Sequence, residues 1–185
     1  MQWISLRNSK CPHGFTLVEI QMVMVVSAIV LSLAAPSFMN IIANNRVASA
    51  ANDLVVVLNL GKSEAVKSGK TAVLCKSNDG NTCDGNTEWK NGWILFLDED
   101  GDNTLNDNER IIRAQGESND GLDLKFRPLN ADSIGFKPNG QINKSGRFCF
   151  RNAHNEANSR AVIIYRTGRI RTEARDSTNN DCDEA

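Results

Sequence analysis

One acidic residue, Glu19, lies inside an apolar segment that runs from Phe15 to Ala35 and is followed by Pro36. The segment has 21 residues and no other charge, and about 20 apolar residues are needed to cross the hydrocarbon core of a bilayer. A carboxylate within a spanning helix costs roughly 2.5 to 3.5 kcal/mol on insertion scales. We therefore expect a membrane-spanning helix in which Glu19 has a specific partner.

Two basic residues, Arg7 and Lys10, precede this segment. Basic residues next to a span tend to stay in the cytoplasm, which predicts that everything after Pro36 lies on the far side of the membrane. A secretory signal peptide is the alternative. It fits less well, because the apolar run is long, contains an acid, and ends in Ala34-Ala35 directly before a proline.

Residues 14–19 read Gly-Phe-Thr-Leu-Val-Glu and resemble the class III signal of type IV pilins and type II secretion pseudopilins. The resemblance implies that a prepilin peptidase cuts after Gly14, methylates the amino group of Phe15, and leaves Glu19 as the fifth residue of the mature chain. Glu19 would then pair with the N-terminus of a neighbouring pilin subunit, whose cationic amine offsets the cost of an acid in lipid. The implied location is the bacterial inner membrane, with a periplasmic head, and later a filament at the cell surface.

Of the five cysteines, Cys11 lies in the predicted leader. The other four are Cys75, Cys83, Cys149 and Cys182. An even number of cysteines in a periplasmic domain predicts two disulfides, and the short separation of Cys75 and Cys83 favours a local bridge. Cys149 and Cys182 would then form the second bridge and hold the acidic tail, residues 176–185, on the sheet. The sequence does not fix this connectivity.

The apolar positions after Pro36 keep three- and four-residue spacings as far as Ala65, and Gly69 is a suitable helix stop. We predict one helix over residues 15–68, with possible breaks at Pro36 and Gly61. Short apolar runs separated by turn residues follow, which predicts antiparallel strands. The runs are Thr71–Cys75, Trp93–Leu97, Arg110–Ala114, Leu122–Phe126, Ile134–Lys137, Phe148–Phe150, Ala161–Tyr165 and Arg169–Thr172.

The predicted fold class is therefore α+β, with a long N-terminal transmembrane helix packed on an antiparallel β-rich globular head. The chain is expected to divide into a leader at residues 1–14, an assembly half of the helix at 15–36, an amphipathic half at 37–69 and the head at 70–185.

Segments of the head narrow the resemblance to the GspH/FimT family. They are Gly61–Gly69, Val73-Leu74-Cys75, Gly92–Asp98 and Thr167–Arg171. This family has a branch of minor pseudopilins of type II secretion, like GspH, and a branch of minor pilins associated with natural transformation, like FimT. The Gly168-Arg169-Ile170-Arg171 sequence resembles the Gly-Arg-x-Arg feature of the DNA-binding FimT branch.

Positive charge is concentrated near this motif. The mature chain has 19 basic and 22 acidic side chains, yet residues 147–175 contain seven arginines against two glutamates. A two-residue turn at Thr167-Gly168 would place Arg166 opposite Arg169, and such like charges destabilise a hairpin by roughly 0.2 to 1 kcal/mol, a cost that a bound polyanion would reverse. Arg169 and Arg171 would share one strand face about 7 Å apart, with Ile170 turned to the core.

This pattern predicts a surface that binds the phosphate backbone of DNA without sequence specificity. The principal residues are Arg169 and Arg171, and the further candidates are Lys144, Arg147, Arg166, Arg175 and the turn residue Gly168. Two alternatives remain open. The arginines can instead serve an outer strand face, with Glu173 and the acidic tail as partners, or they can meet an acidic protein in a structural pseudopilin.

An acidic segment, residues 98–109, has acids at positions 1, 3, 5 and 12, as calcium-binding loops do. The glycine expected at position 6 is Asn103, which adopts a left-handed turn less readily. An acidic turn between two strands explains the same residues without a metal, and we assign no metal ligand here.

No sequence feature indicates an enzyme or a cofactor. The only histidine of the mature chain is His154 in a polar stretch, and no nucleophile–base pair is apparent. A metal site built from the cysteines is disfavoured because there is no C-x-x-C pair. We interpret Trp89 and Trp93 as core aromatics and not as platforms for base stacking.

Overall fold

The computed structural model describes residues 14–117, 121–127, 131–152 and 155–174, without the side chains of residues 33–37 and 155–158. The chain divides into two units, Met1–Asn40 and Ile41–Ala185. One helix, α1, spans Leu17–Ser68. It continues through Pro36 and Gly61 as helix, so the two breaks that the sequence allowed are absent from its secondary structure.

In the first unit, Thr16 caps the helix. Its hydroxyl accepts a hydrogen bond of 3.3 Å from the backbone N–H of Glu19, in the spacing of a capping box. The large apolar side chains described here are exposed, from Phe15 at 77 % to Met39 at 69 %. An exposed apolar surface of this extent is typical of a site that contacts lipid or another protein.

Among the residues that the structure describes, no helical segment combines the length and the apolarity of a membrane span. The span that we predict for residues 15–36 therefore stays a prediction.

In the described residues of the second unit, eight strands form two antiparallel four-stranded sheets. The first sheet has the order β3-β2-β1-β5 and the second has the order β4-β6-β7-β8. The strands are β1 Thr71–Lys76, β2 Trp93–Asp98, β3 Arg110–Gln115, β4 Leu122–Arg127, β5 Ser133–Phe136, β6 Gly146–Asn152, β7 Asn155–Ile164 and β8 Ile170–Ala174. A short 3-10 helix, η1, covers Trp89–Asn91. Each of the eight predicted strands is present, and the α+β class is confirmed.

One hydrophobic core joins the second half of α1 to the inner faces of both sheets. Val57 and Leu58 of the helix are fully buried. Gly61 is needed for close approach, since a Cβ at this position would lie 3.0 Å from Leu95 and 3.1 Å from Phe136. The glycine that we considered as a helix break is thus a contact point between helix and first sheet.

Aromatic side chains form the part of the core under the second sheet. The rings of Phe126 and Phe148 are 4.6 Å apart, and Trp89 meets Phe148 edge-on at 5.1 Å. The indole N–H of Trp89 donates to the carbonyl of Ala131 at 3.2 Å, so its polar atom is satisfied. Trp89 and Trp93 are each 4 % exposed, which confirms their interpretation as core residues.

The predicted bridge between Cys75 and Cys83 is present, with a Cα–Cα distance of 5.7 Å. Cys149 is also disulfide-bonded. Cys182, its predicted partner, lies outside the described residues, as does Cys11.

We expect Phe148→Ala to destabilise the second unit by about 3 to 5 kcal/mol, because it removes a fully buried ring and leaves a cavity. Ile111→Ala is the matched control, since Ile111 on β3 is 40 % exposed and should cost less than about 1 kcal/mol. Denaturant titration of both variants measures the difference. Equal losses would contradict the position of the core.

Candidate nucleic-acid interface

The hairpin that carries the arginine motif has a three-residue loop. Ile164 and Ile170 form the last strand pair, the N–H of Tyr165 donates to the carbonyl of Arg169 at 2.9 Å, and the N–H of Gly168 donates to the carbonyl of Tyr165 at 2.8 Å. Gly168 has φ +78°, as in a turn that ends in a bulge. Our predicted two-residue turn is therefore wrong, and Tyr165 lies opposite Arg169 in place of Arg166.

Backbone contacts fix this hairpin against the neighbouring turn. A Cβ at Gly168 would lie 2.0 Å from the carbonyl oxygen of Gly140. The N–H of Ile142 donates to the carbonyl of Arg166 at 3.1 Å, and the ammonium of Lys62 on α1 donates to the carbonyl of Gly168 at 3.0 Å. Gly168, a candidate DNA contact in the sequence, thus has a structural function in placing the arginines beside it.

The two principal arginines are both accessible. Arg169 and Arg171 are exposed, whereas Ile170 between them is partly buried and packs against the core. The alternation predicted for this strand is therefore confirmed. Arg171 forms an ion pair with Glu173 two residues along the strand, so one predicted alternative partner is present. Such exposed pairs contribute about 0 to 1 kcal/mol, which a phosphate group can replace.

Strand register adds a third arginine, Arg147, to the face that carries Arg169 and Arg171. Arg147 on β6 pairs with Ile163 on β7, which pairs with Arg171 on β8. Arg147 and Arg171 are thus two strands apart in one row, about 10 Å at the usual strand spacing. Arg147 takes part in a further interaction of its own.

The other predicted candidates divide into two groups. Arg166, in the hairpin loop, and Lys144, shortly before β6, are exposed at the same end of the second sheet. Arg175, the remaining candidate, lies outside the described residues.

Two residues of this surface were not found from the sequence. Arg127 on β4 lies directly opposite Arg147, and only the strand pairing reveals this neighbour. Tyr165 is 39 % exposed beside Arg169. It is the single tyrosine of the chain, and it stands two residues before Thr167-Gly168. This position next to a turn could have indicated an exposed aromatic ring.

The acidic segment at residues 98–109 closes on itself. Carboxylate oxygens of Asp98, Asp100 and Asp102 lie within 4.8 Å of one another. Glu109, the twelfth residue, accepts hydrogen bonds from the N–H groups of Glu99 at 2.8 Å and Asn106 at 3.0 Å. Its carboxylate is thereby used in loop closure.

Glu109 and Asn103 show two further features of this acidic segment. Partial burial, with the three nearby acids, raises the pKa of Glu109 above its ordinary value, although the Asn106 N–H acts in the opposite direction. Asn103 adopts a left-handed conformation with φ +61°. This is the conformation for which a glycine is expected at position 6 of the segment.

We expect Gly168→Ala to destabilise the protein more than Gly69→Ala. Both residues have a positive φ, +78° and +69°, but the added methyl at Gly69 meets nothing within 4 Å, whereas at Gly168 it collides with backbone. The Gly69 variant should cost about 1 to 2 kcal/mol, the penalty for a left-handed residue with a side chain. Thermal melts of both variants test this. An equal decrease of Tm in the two variants would mean that Gly168 does not lie in close contact with Gly140.

The geometry can be compared with known proteins. Residues 50–168 match the model of the family described as type II transport protein GspH. This region ends at Gly168, so Arg169 and Arg171 lie just beyond it. A comparison with curated protein sequences gives no significant match.

Solved structures of two minor pilin-like proteins have the same fold. The type IV minor pilin FimU of Pseudomonas aeruginosa aligns with a TM-score of 0.56 at 21 % identity, over 73 % of this chain and 96 % of that chain. The minor pseudopilin EpsH of the type 2 secretion system of Vibrio cholerae aligns with a TM-score of 0.50 at 16 % identity, over 69 % and 96 %. At these identities the likeness establishes the fold.

The family match covers well over half of the chain, and the helix with its two antiparallel sheets agrees with it. The chain therefore belongs to the family described as type II transport protein GspH, and it has the fold of the minor pilin FimU and the minor pseudopilin EpsH.

Proposed function

We propose that this protein is a FimT-like minor type IV pilin that binds extracellular DNA without sequence specificity and supports its uptake in natural transformation. The observation that carries the proposal is the cationic hairpin end, which consists of Arg166, Arg169 and Arg171 with Lys144 and Arg147 beside it. A chain with an overall excess of acid has here a local excess of arginine. Such a patch attracts polyanions through phosphate neutralisation.

The spacing of the arginines suits a nucleic-acid backbone. Arg169 and Arg171 project from one face of a strand, about 7 Å apart, and Arg147 extends the row across the sheet. Guanidinium groups bind phosphate oxygens with two parallel hydrogen bonds. The surface is formed by strands and a turn, which favours binding to the backbone over reading of base edges.

Tyr165 gives the proposed surface a preference among nucleic acids. Its ring is exposed next to Arg169, and stacking of a base on an aromatic ring contributes about 1 to 3 kcal/mol. Only unpaired bases can stack in this way. We therefore expect single-stranded DNA to bind at least as well as duplex DNA at equal salt.

The N-terminal residues complete the proposal. We infer that a prepilin peptidase removes residues 1–14, that Phe15 becomes the methylated N-terminus, and that Glu19 pairs with the amine of a neighbouring subunit as the filament forms. Residues 15–36 would anchor the protein in the inner membrane before assembly. The exposed apolar surface from Phe15 to Met39 supports this inference.

A second candidate function is that of a structural minor pseudopilin, in which the arginines meet an acidic partner protein. The family model favours it, because the family is described as type II transport protein GspH. The matched region, residues 50–168, ends before Arg169 and Arg171. DNA binding distinguishes the two candidates.

The double variant Arg169→Ala/Arg171→Ala should weaken DNA binding, because it removes two phosphate contacts. On duplex DNA the slope of log affinity against log salt should decrease by up to about 1.8, at roughly 0.9 for each contact. We would measure fluorescence anisotropy of labelled oligonucleotides with the full chain in neutral detergent. Arg110→Ala/Arg113→Ala is the matched control, with the same charge change on β3 of the first sheet. Equal effects of the two double variants would refute this site, and no binding by the unaltered chain at low salt would favour the structural candidate.

A separate prediction concerns Glu19. Glu19→Gln keeps the size and the helix position of the side chain but removes the charge that we expect to pair with a subunit amine. Incorporation into filaments, measured by immunoblotting of sheared filaments, should fall to background. Asp53→Asn, which removes an exposed acid from the second half of α1, should be incorporated normally. Normal incorporation of the Glu19 variant would exclude this pairing.

A further inference from the structure

A cavity of about 380 Å³ lies between the end of β1, the segment that leads into η1, and the edge strand β4 of the second sheet. Its volume is near the lower limit of the range of about 300 to 1,000 Å³ that is typical of small-molecule sites. The charged and polar residues that line it are Lys76, Thr87, Glu88, Lys125 and Arg127. Three cations and one acid therefore surround a space that suits a single small ligand.

Lys76 is a buried lysine that keeps one donor available. It is 8 % exposed, and its ammonium donates to the carboxylate of Asp132 at 2.8 Å and to the carbonyl of Gly85 at 3.4 Å. An ammonium group has three N–H donors. Since the described part of the chain offers it these two acceptors and no third, one donor is available to an acceptor in the cavity.

Arg127 lacks a counterion. Its Nε is inaccessible to solvent and has no hydrogen-bond partner, and its guanidinium forms no ion pair with any residue that the structure describes. Arg147 lies directly opposite on β6, and like charges opposite each other destabilise a strand pair. An anion bound at Arg127 would supply the missing counterion and reduce this repulsion.

Glu88 lines the cavity, but its charge is offset. It pairs with Lys90 at 2.6 Å, and its side chain is 61 % exposed. This pair is the main cause that holds the pKa of Glu88 below its ordinary value, and the lysines of the cavity act in the same direction. The potential in the cavity is therefore positive although one lining residue is an acid.

The remaining wall of the cavity is apolar and consists of Trp89, Leu124 and Phe126. Trp89 is 4 % and Phe126 is 2 % exposed, and their ring centroids are 6.2 Å apart. The indole N–H of Trp89 already donates to Ala131, so this wall offers an apolar surface that the core holds in place. A ligand that fits both parts of the cavity has an anionic group and a ring.

We propose that this cavity binds one nucleoside monophosphate unit, with its phosphate at the three cations and its base against the aromatic wall. The guanidinium of Arg127 can bind two phosphate oxygens at once, whereas the ammonium groups of Lys76 and Lys125 act as point charges. The phosphate then satisfies the available donor of Lys76 and the unpaired charge of Arg127.

The position of the cavity favours a nucleotide over other anions that carry a ring. Strand register places Arg127 on β4 in one row with Arg147 and Arg171. The row covers three strand intervals, about 14 Å. It belongs to the surface that we propose for DNA, so a DNA strand bound along it would meet the cavity at the far end. This argument for a nucleotide rests on the proposed DNA binding, whereas the binding of an anion with a ring does not.

The test titrates isotope-labelled full chain in neutral detergent with thymidine monophosphate. We expect saturable shifts of the backbone amides of Thr87 and Arg127 and of the indole N–H of Trp89. Thymidine, which lacks the phosphate, and inorganic phosphate, which lacks the base, should each bind roughly tenfold more weakly. Equal affinity for inorganic phosphate, or shifts confined to Arg166 and Arg169 at the hairpin end, would overturn the proposal.

A pair of variants tests the part that Arg127 has in the site. Arg127→Gln should weaken the binding of thymidine monophosphate roughly tenfold without lowering Tm, because no hydrogen bond or ion pair of the described residues is lost. Arg113→Gln makes the same charge change at an exposed position of β3 and should bind as the unaltered chain does. Equal affinity of the two variants would remove Arg127 from the site.

Oligonucleotides identify the source of the nucleotide. If the cavity holds the end of a DNA strand, a single-stranded oligonucleotide with a phosphorylated end should shift Trp89 at a roughly tenfold lower concentration than the same oligonucleotide with a hydroxyl end. If the cavity holds a free nucleotide, thymidine monophosphate should shift Trp89 and neither oligonucleotide should do so.

The same titrations separate this proposal from the DNA function. Binding of thymidine monophosphate at Trp89, with no oligonucleotide bound anywhere, would support the cavity and contradict the DNA function. Binding of oligonucleotides at Arg169 and Arg171, with no effect of any ligand at Trp89, would overturn the cavity and leave the DNA function intact.

Discussion

The burial of one face of residues 41–68 against two separate sheets is the constraint on which the rest of the second unit depends. Val57 and Leu58 are fully buried, and Gly61 allows side chains of the first sheet to come within about van der Waals contact of the helix backbone. Lys62, the residue after Gly61, donates a hydrogen bond from its ammonium group to the carbonyl of Gly168. The helix therefore determines where the arginine hairpin lies as well as where the core forms.

The electrostatic arrangement follows from this scaffold. Acids gather in the loop between β2 and β3, where Asp98 and Glu109 accept backbone hydrogen bonds and close the turn. Arginines gather at the hairpin end of the second sheet and on the sheet face that points away from the core. Exposed ion pairs of the kind formed by Arg171 and Glu173 contribute little to stability, so this separation of charge adds little to the free energy of folding.

Much of the fold could be predicted from residue patterns because periodicity is local. Helix α1 ends at Ser68 where Gly69 follows, and all eight apolar runs form strands. The hairpin loop was mispredicted because a Thr-Gly pair suits both a two-residue turn and the end of a three-residue loop. The choice is made by a tertiary contact, the approach of Gly168 to Gly140, which no local pattern reveals.

The candidate site was predictable in composition but not in arrangement. The cluster of arginines and the alternation of Arg169 and Arg171 could be read from the sequence, whereas the placement of Arg127 beside Arg147 requires the strand order and register. The same register places Cys149 between two arginines on a face that lies away from the core. Pairing between distant strands is the information that a single sequence lacks.

Chemical-shift mapping tests whether the hairpin end of the second sheet is the nucleic-acid interface that we propose. Isotope-labelled full chain in neutral detergent would be titrated with a short single-stranded oligonucleotide at low salt. We predict that the largest backbone amide shifts occur at Tyr165, Arg169, Arg171 and Arg147, and that they disappear at high salt. Shifts centred on β3 and the first sheet, or no shifts at all, would contradict the account.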